Sequence, residues 1–302
     1  MPVQASYLFV ILVWSTTPLG IVWSSETIPP TFSVLMRMSI ALVLAGLVIA
    51  VANIRVPWHR RACKLYMYSA LGILGGMLLS YLAAQTVPSG VISLIFGIAP
   101  ILSGLLAQKL LGEARFTPVK VFALVLALCG LYLICATQIQ QLDLAPIGLC
   151  YVFLAVCCFS LSGVLIKRVK VAIHPMATTF GALLFVTPMF ALAWWLVDGT
   201  MALEQWQMKS VWSTVYLGVI GSLLGFLAYF HVLQKLPAST VALTTLITPG
   251  FAIALGAWLN NEAITGSLLL GAAIIILSLA LFQFGEQLKW FVPEHNQVKS
   301  DR

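Results

Sequence analysis

The sequence predicts an all-α membrane protein in which ten transmembrane helices form two inverted five-helix repeats. The chain is 61% hydrophobic and only 8% charged, whereas soluble domains carry about 25% charged residues. Apolar runs recur almost from end to end, each long enough to cross a hydrocarbon core of about 30 Å as a helix. A pattern of prolines, glycines and acidic residues in the first half returns in the second half. These three observations leave no room for a soluble domain.

The repeat is clearest in residues 88–113, whose pattern returns 149 residues later without a gap. Chance would seldom match so many prolines, glycines and acidic or amide residues at one constant offset. An internal repeat of this kind determines which fold the chain can have. Upstream, a weaker match at an offset of 145 aligns Ser15 with Ser160. We therefore predict repeats at residues 1–140 and 141–288, followed by a tail at residues 289–302. The matched pairs are Pro88 and Pro237, Pro100 and Pro249, Glu113 and Glu262, Gly72 and Gly221, Gly76 and Gly225, and Gln85 and Gln234.

Ten spans follow from the positions of the apolar runs. Each repeat holds five, and because five is odd the second repeat must enter the membrane in the opposite direction. Inverted repeats are typical of transporters whose substrate site lies near the bilayer midplane. The predicted spans are residues 4–23, 30–52, 65–86, 88–109, 117–136, 146–166, 174–197, 211–234, 237–259 and 266–285.

The basic residues predict the orientation of the chain. Fourteen of the sixteen Lys and Arg residues fall on one side of the predicted spans, Lys209 alone falls on the other, and Arg37 lies inside a span. Because cytoplasmic loops carry this excess, we expect both termini in the cytoplasm of a bacterium and the spans in its inner membrane. Orientation then explains the net charge of +7, and no nucleic-acid partner is expected without a basic soluble face.

The first two spans offer an aromatic and hydroxyl cluster and a buried charge. Pro18 cannot donate to the carbonyl of Trp14, which weakens the helix beside Ser15. The alternative is a kinked packing helix whose hydroxyls bond back to their own backbone. Arg37 must face the bundle interior, because a lipid-facing arginine is costly. It is either a carboxylate anchor or a structural arginine that binds helix-end carbonyls or Glu26.

Later spans add aromatic and hydroxyl residues that should face a cavity rather than lipid. Tyr81 lies on a polar stripe of the third span, and stripes of this kind face other helices. Pro100 and Pro249 free the carbonyls of Phe96 and Thr245 near mid-span, where unbonded backbone survives only beside partners or cavity water. The predicted substrate-binding residues are Trp14, Ser15, Arg37, Tyr81, Ser93, Phe96, Phe159, Ser160, Tyr229, Thr244 and Thr245.

The chain resembles the EamA-type carriers of the drug/metabolite transporter superfamily over residues 4–285. The resemblance implies a ten-helix bundle with a central cavity that moves small metabolites, often amino acids, by alternating access. The second half departs from the pattern, with Asn261 in place of the turn glycine and Ala182 at the position that would match the arginine. The features that carry the resemblance are Trp14 with the small polar residues after it, the proline-then-arginine pattern ending at Arg37, Pro100, and the turn at Gly112 and Glu113.

Several chemistries are absent from the sequence. No Asp lies in a span, and the chain has no HExxH, P-loop or His/Cys cluster. We therefore expect no catalytic residues, no metal and no cofactor, and we interpret the six cysteines as packing residues. His231 is the single histidine within a span, which leaves a proton open as a coupling ion.

The sequence favours a secondary carrier that exports amino acids or related small metabolites. One alternative is an intramembrane serine hydrolase that pairs Ser160 or Ser162 with His231 as nucleophile and base. A second is a scaffold or sensor subunit that transports nothing. The expected partners are the lipid bilayer and a small-molecule substrate, and both a monomer and a homodimer are compatible with this sequence.

Overall fold

The computed structural model describes residues 2–141, 146–199, 201, 203–235 and 244–285, with side chains omitted for 137–141, 245 and 246, and these ranges contain helices and no strand. A short 3₁₀ turn, Leu203–Gln205, precedes α9, and a π-helical segment, Leu217–Leu224, separates α9 from α10. The α-helices are α1 (Val3–Ser24), α2 (Pro30–Val51), α3 (Arg60–Ala83), α4 (Ser89–Phe96), α5 (Ala99–Leu111), α6 (Pro118–Gln141), α7 (Pro146–Val169), α8 (Pro175–Val197), α9 (Met208–Tyr216), α10 (Gly225–Lys235), α11 (Thr244–Asn260) and α12 (Gly266–Phe284).

Within the described ranges, nine helical stretches are long and apolar enough to cross a bilayer, and Ile247–Asn260 adds a shorter apolar one. Each of the ten predicted spans overlaps one of these stretches, and the first part of the predicted span 237–259 lies outside the described residues. Helices suit this environment because all their backbone hydrogen bonds are internal, so no donor or acceptor is left facing hydrocarbon. The prediction of an all-helical, multi-pass membrane protein is confirmed for the described residues.

The fourth span is broken at its centre, between α4 and α5. The Ile98 amide donates to the carbonyl of Ile95, three residues earlier, at 3.2 Å, whereas an α-helix bonds residues four apart. Helix α5 then starts at Ala99. Pro100 sits at the start of α5, where its missing amide leaves the carbonyl four residues earlier without its usual donor. The break therefore lies where the sequence places the proline.

The eighth span departs from a regular helix in a way that the sequence did not predict. Residues Leu217–Leu224 form a π-helix, which is wider than an α-helix and is often found at functional sites. Gly218 of this segment packs on α2, where an added Cβ would lie 2.9 Å from Ile40 and 3.2 Å from the Arg37 carbonyl oxygen. The π-segment and α2 are thus in backbone-to-backbone contact.

The turns after α5 and α11 have the same structure 149 residues apart. Gly112 has a φ of 69° and Asn261 a φ of 52°, so both lie in the left-handed region. Glycine adopts it without penalty and asparagine tolerates it. The amide of Glu113 donates to the Ala107 carbonyl, and the amide of Glu262 donates to the Gly256 carbonyl. The replacement of glycine by Asn261 therefore leaves the turn unchanged.

The main helix contacts join the first half of the chain to the second. Helix α3 packs against α7 and α8, α1 packs against α9, α10 and α11, and α6 packs against α12. Helix α2 packs against α8 and the π-segment, and α4 packs against α11. The core is therefore shared between the halves.

The two ends of the bundle are recognisable from their contacts. At one end, the last turns of α1 and α11 meet the start of α4, where the Glu262 carboxylate accepts from the Ser89 amide. At the other, Gln234 donates to the Ile173 carbonyl at 2.8 Å, and Phe116 meets Phe282 edge-on at 5.1 Å. Because α4 and α5 together cross the bilayer, Glu113, two residues past α5, lies far from Ser89. We call these the Glu262 end and the Glu113 end.

We expect Gly181→Ala to lower the midpoint temperature of thermal unfolding in detergent. A methyl group at Gly181 would lie 2.6 Å from Cγ of Tyr66, and the Tyr66 hydroxyl is held by the Pro57 carbonyl at 3.0 Å. Overpacking of this kind costs about 1–3 kcal/mol. Gly163→Ala is the matched control, because no atom lies within 4 Å of the added methyl and alanine favours a helix. Equal midpoints for Gly181→Ala and the wild type would contradict this packing.

Candidate functional site

Four of the predicted site residues form one aromatic cluster, which we call the mid-span cluster: Trp14, Phe96, Phe159 and Tyr229. The Trp14 ring lies 5.2 Å from the Tyr229 ring and 6.0 Å from the Phe159 ring, measured between centroids. Phe159 in turn lies 6.1 Å from both Phe96 and Tyr229. Phe159 therefore contacts the other three rings.

The mid-span cluster draws on four helices, two from each half of the chain. Trp14 is in the middle of α1, Phe96 at the end of α4, Phe159 in the middle of α7 and Tyr229 in α10. All four side chains are only partly buried, and each ring contacts at least one ring from another helix. The cluster therefore brings aromatic side chains of both halves of the chain into contact.

Ser160 lies beside the mid-span cluster and binds the broken fourth span. Its hydroxyl donates to the Ala99 carbonyl at 3.2 Å. Gly97, at the break, faces α11, where an added Cβ would lie 3.7 Å from Pro249 Cγ. The proline-containing parts of the fourth and ninth spans therefore meet near mid-span, next to the aromatic rings.

The other hydroxyl residues are buried but differ in what they bind. The Ser15 hydroxyl donates to the Ile11 carbonyl of its own helix at 2.8 Å, which is the alternative that the sequence left open. Ser93 and Thr244 are both buried. The side chain of Thr245 lies outside the described residues, so its predicted role stays a prediction.

Tyr81 lies apart from the mid-span cluster. Its side chain is fully buried among apolar residues, and its hydroxyl accepts a hydrogen bond from the Ser24 hydroxyl at 3.3 Å. One turn further along, Gln85 donates weakly to the Ser25 carbonyl at 3.4 Å. The polar stripe of α3 thus joins the last turn of α1 towards the Glu262 end.

Arg37 is a buried cation with an incomplete set of partners. Its side chain is 1% exposed, and its Nε donates to the Ser222 hydroxyl of the π-segment at 2.7 Å. Its Nη1 is buried and has no hydrogen-bond partner among the described residues. Glu26, the carboxylate that the sequence offered as a partner, instead binds Lys209 at 2.6 Å. The Glu26–Arg37 pairing considered from the sequence is therefore wrong.

The described geometry does not assemble the serine hydrolase alternative. Ser160 donates to Ala99, and Ser162 donates to the Tyr68 carbonyl at 2.6 Å. The His231 Nε2 is buried without a hydrogen-bond partner among the described residues, so neither serine is paired with it as nucleophile and base. Among the same residues, no group of three or more His, Cys, Asp or Glu side chains is placed to hold a metal.

Two residues that contact the predicted site or its surroundings were not identified from the sequence, because only their place in the folded bundle distinguishes them. Ser222 holds Arg37, and Tyr216 shares a 2.6 Å hydrogen bond with Thr16 next to the mid-span cluster. Neither residue belongs to a motif or to the 149-residue register. Only the packing of α1 and α2 on the eighth span identifies them.

A multi-pass helical bundle with helices broken near mid-span is typical of secondary transporters. Residues 5–136 and 146–284 each match the EamA-like transporter family. The chain therefore belongs to that family, as its motifs indicated.

Curated relatives and a solved structure agree with this assignment. The chain is 24% identical to the uncharacterized transporter YoaV of Bacillus subtilis, over 93% of this chain and 97% of the relative. It is also 24% identical to Protein PecM of Dickeya dadantii, over 90% of this chain and 89% of that protein. A crystal structure at 18% identity covers 95% of this chain and 98% of its own, with a TM-score of 0.68, which shows a shared fold.

We expect Arg37→Met to raise the thermal stability of the substrate-free protein. A buried guanidinium with an unpartnered nitrogen is costly, and replacing a buried charge by an apolar side chain of similar size often stabilises by about 1–4 kcal/mol. The measurement is the unfolding midpoint in detergent. Arg37→Lys keeps the charge and serves as the control with no expected rise. A large fall in the midpoint of Arg37→Met would mean that Arg37 is mainly structural.

Proposed function

We propose that this protein is a secondary transporter that exports amino acids or related small metabolites across the bacterial inner membrane by alternating access. The observation that carries the proposal is the mid-span cluster, in which aromatic rings from both halves of the chain meet. Family membership supports transport as the activity. The substrate class follows from the family resemblance together with the aromatic and polar groups of the site, and export is part of our proposal.

The proposed architecture is a pair of inverted repeats, residues 1–140 and 141–288, that rock against each other. Two observations support it. The turns at Gly112 and Asn261 share their backbone conformation at one offset. The helix contacts also come in matched pairs, in which each helix is exchanged for its counterpart in the other repeat. The contact of α3 with α7 matches that of α10 with α1, the contact of α3 with α8 matches that of the π-segment with α2, and the contact of α5 with α7 matches that of α11 with α1. Such an exchange is expected when two copies of a unit face each other about a two-fold axis.

The proposed substrate site combines aromatic, polar and charged groups. The mid-span cluster would stack on the apolar part of a substrate, as aromatic rings do. Hydroxyls of Ser15, Ser93, Ser160, Thr244 and Thr245, with carbonyls at the helix breaks, would bind its ammonium or amide groups. Tyr81 would contribute from the Glu262 end. Arg37 would bind a carboxylate, which supplies the negative charge that its environment lacks.

The proposed orientation places both termini and the Glu113 end in the cytoplasm. The distribution of Lys and Arg supports it, with fourteen on that side and Lys209 alone on the other. Lys209 binds Glu26 and lies 4.9 Å from the centroid of the Trp23 ring. The single basic residue on the opposite side is thus accounted for by local contacts.

The direct test is flux in proteoliposomes loaded with a mixture of radiolabelled amino acids. We expect saturable efflux from the wild type and a loss of about tenfold or more in Phe159→Ala, because Phe159 touches all three other rings and about 1.4 kcal/mol corresponds to tenfold. Phe116→Ala is the matched control, since Phe116 pairs with Phe282 outside the cluster. Equal losses in both variants would remove the cluster from the site, and hydrolysis without flux would favour an enzyme.

A second measurement addresses the driving force. We expect the steady-state accumulation ratio of substrate to be the same with and without a pH gradient, because every Asp and Glu lies at or beyond the ends of the spans. A substrate gradient then drives flux. If the ratio follows the pH gradient, proton coupling is established and His231, the remaining titratable imidazole within a span, becomes the first residue to substitute.

A further inference from the structure

The carboxylate of Glu262 is bound to the start of a helix from the other half of the chain. Oε1 accepts from the Ser89 amide at 3.1 Å and Oε2 from the Gly90 amide at 3.3 Å. These are the first amides of α4, whose N-terminal end carries a partial positive charge that favours an anion. Glu262 therefore fastens the end of α11 to the start of α4.

The same carboxylate belongs to a chain of hydrogen bonds that reaches α1. The Asn260 Nδ2 donates to Glu262 Oε1 at 3.2 Å, and the Trp23 indole donates to Asn260 Oδ1 at 2.8 Å. Together Trp23, Ser89, Gly90, Asn260 and Glu262 join the ends of three helices. We call this group the Glu262 clasp.

The absence of a side chain at Gly256 leaves space for the Glu262 carboxylate. Gly256 faces Glu262 from one turn earlier in α11, and an added Cβ there would lie 2.5 Å from Oε2. Any side chain at Gly256 would therefore displace the carboxylate from the α4 amides. The position of the carboxylate therefore depends on glycine at residue 256.

The clasp has a counterpart in the sequence of the first repeat. Glu113 matches Glu262 in the repeat, and the residues that match Ser89 and Gly90 are Ala238 and Ser239, which lie outside the described residues. The side chain of Glu113 is exposed to solvent at its own end of the bundle. The Glu262 end is fastened by a carboxylate, while the matching carboxylate at the Glu113 end lies in solvent.

The strength of the clasp suits a reversible contact. Charge-assisted hydrogen bonds are strongest at about 2.7–2.9 Å, and both bonds from the α4 amides are longer. The clasp also lies at helix ends, where water can replace its bonds when it opens. A polar link in the core has no water to replace its bonds, so it costs more to break.

We propose that the Glu262 clasp is the gate of this transporter at the Glu262 end, closed in this structure and broken whenever the mid-span cluster opens to that side. The inference rests on the proposed transport function. It assigns to Glu262, Asn260 and Trp23 a role in setting which end is open, separate from binding the substrate.

The first test needs no substrate. Ser93 lies one turn inside the clasp on α4 and is 5% exposed, so Ser93→Cys, in a chain whose six native cysteines are replaced by alanine, reports access from the Glu262 end. A membrane-impermeant maleimide is added to intact spheroplasts and, separately, to inside-out vesicles. We expect Glu262→Gln to raise the labelling rate in spheroplasts roughly three- to tenfold, the range for losing one ordinary hydrogen bond, because glutamine keeps one carbonyl oxygen as an acceptor.

Glu113→Gln is the matched control for this measurement, because it removes the equivalent charge from the other end. It should leave the spheroplast labelling rate unchanged. A rise confined to inside-out vesicles would keep the gate and reverse the orientation of the chain. If Glu262→Gln raises the rate in neither preparation, or if Glu113→Gln raises it equally, the gate is overturned.

The second test locks the clasp end and measures flux. An added Cβ at Gly90 would lie 3.5 Å from Ile253 Cβ, a separation that suits a disulfide. We expect oxidised Gly90→Cys/Ile253→Cys, in the same cysteine-free background, to lose more than about nine-tenths of radiolabelled amino-acid flux and to recover it in dithiothreitol, because a cross-linked gate leaves only uncross-linked molecules to transport.

Val119→Cys/Gly285→Cys is the matched cross-link, because its two Cβ atoms would lie 3.8 Å apart between α6 and the end of α12, away from the clasp. It should keep its flux when oxidised. Undiminished flux in the oxidised Gly90→Cys/Ile253→Cys protein, or equal loss in the Val119→Cys/Gly285→Cys protein, would overturn the gate. If even the wild type fails to transport amino acids, the proposed substrate class fails, while the labelling experiment still decides the clasp.

Discussion

The absence of water from the bilayer core is the constraint on which this structure depends. A polar group at mid-span has only the protein itself to bind. The Ala99 carbonyl beside the break accepts from the Ser160 hydroxyl, and the Arg37 Nε donates to the Ser222 hydroxyl, while the Arg37 Nη1 has no partner among the described residues. Both serines come from the other half of the chain. The irregular and charged parts of the bundle are therefore forced inward, onto the contact between the halves, and the regular helices α6 and α12 are left to pair with each other beside the lipid.

The fold was largely predictable from the sequence because a helix that crosses the bilayer must be long and apolar. Both properties can be read directly from the sequence. The turns at Gly112 and Asn261 were predictable from the 149-residue register, since a left-handed residue leaves a trace in sequence. The π-segment was not predictable. Its residues are as apolar as those of an α-helix, and the wider winding depends on how Gly218 approaches α2. Likewise, the stripe that contains Tyr81 identified a face of α3 but not the hydroxyl of Ser24 that it meets.

The sequence indicated the types of residue at the candidate site better than the hydrogen bonds that those residues make. Tyr229 meets both Trp14 and Phe159, although the repeat does not match it to either. Trp14 and Phe159 are matched at the 145-residue offset, and their rings are in contact. The hydroxyls differ within such a matched pair. Ser15 and Ser160 are equivalent in the repeat, yet one bonds within its own helix and the other bonds across to α5. A hydroxyl can bond to a carbonyl of its own helix or of a neighbouring helix, and only the assembled bundle determines which it does.

The difference between mid-span and helix-end contacts bears on which parts of this protein can move. At mid-span a broken hydrogen bond has no water to replace it, so the bond between Ser160 and Ala99 costs its full desolvation penalty when opened. At the helix ends, water can hydrate both the Glu262 carboxylate and the α4 amides as they separate. Opening is therefore cheapest at the ends. Under the mechanism that we propose, the two halves would pivot about their mid-span contacts and exchange their contacts at the helix ends, with the gates at the ends and the substrate at the pivot.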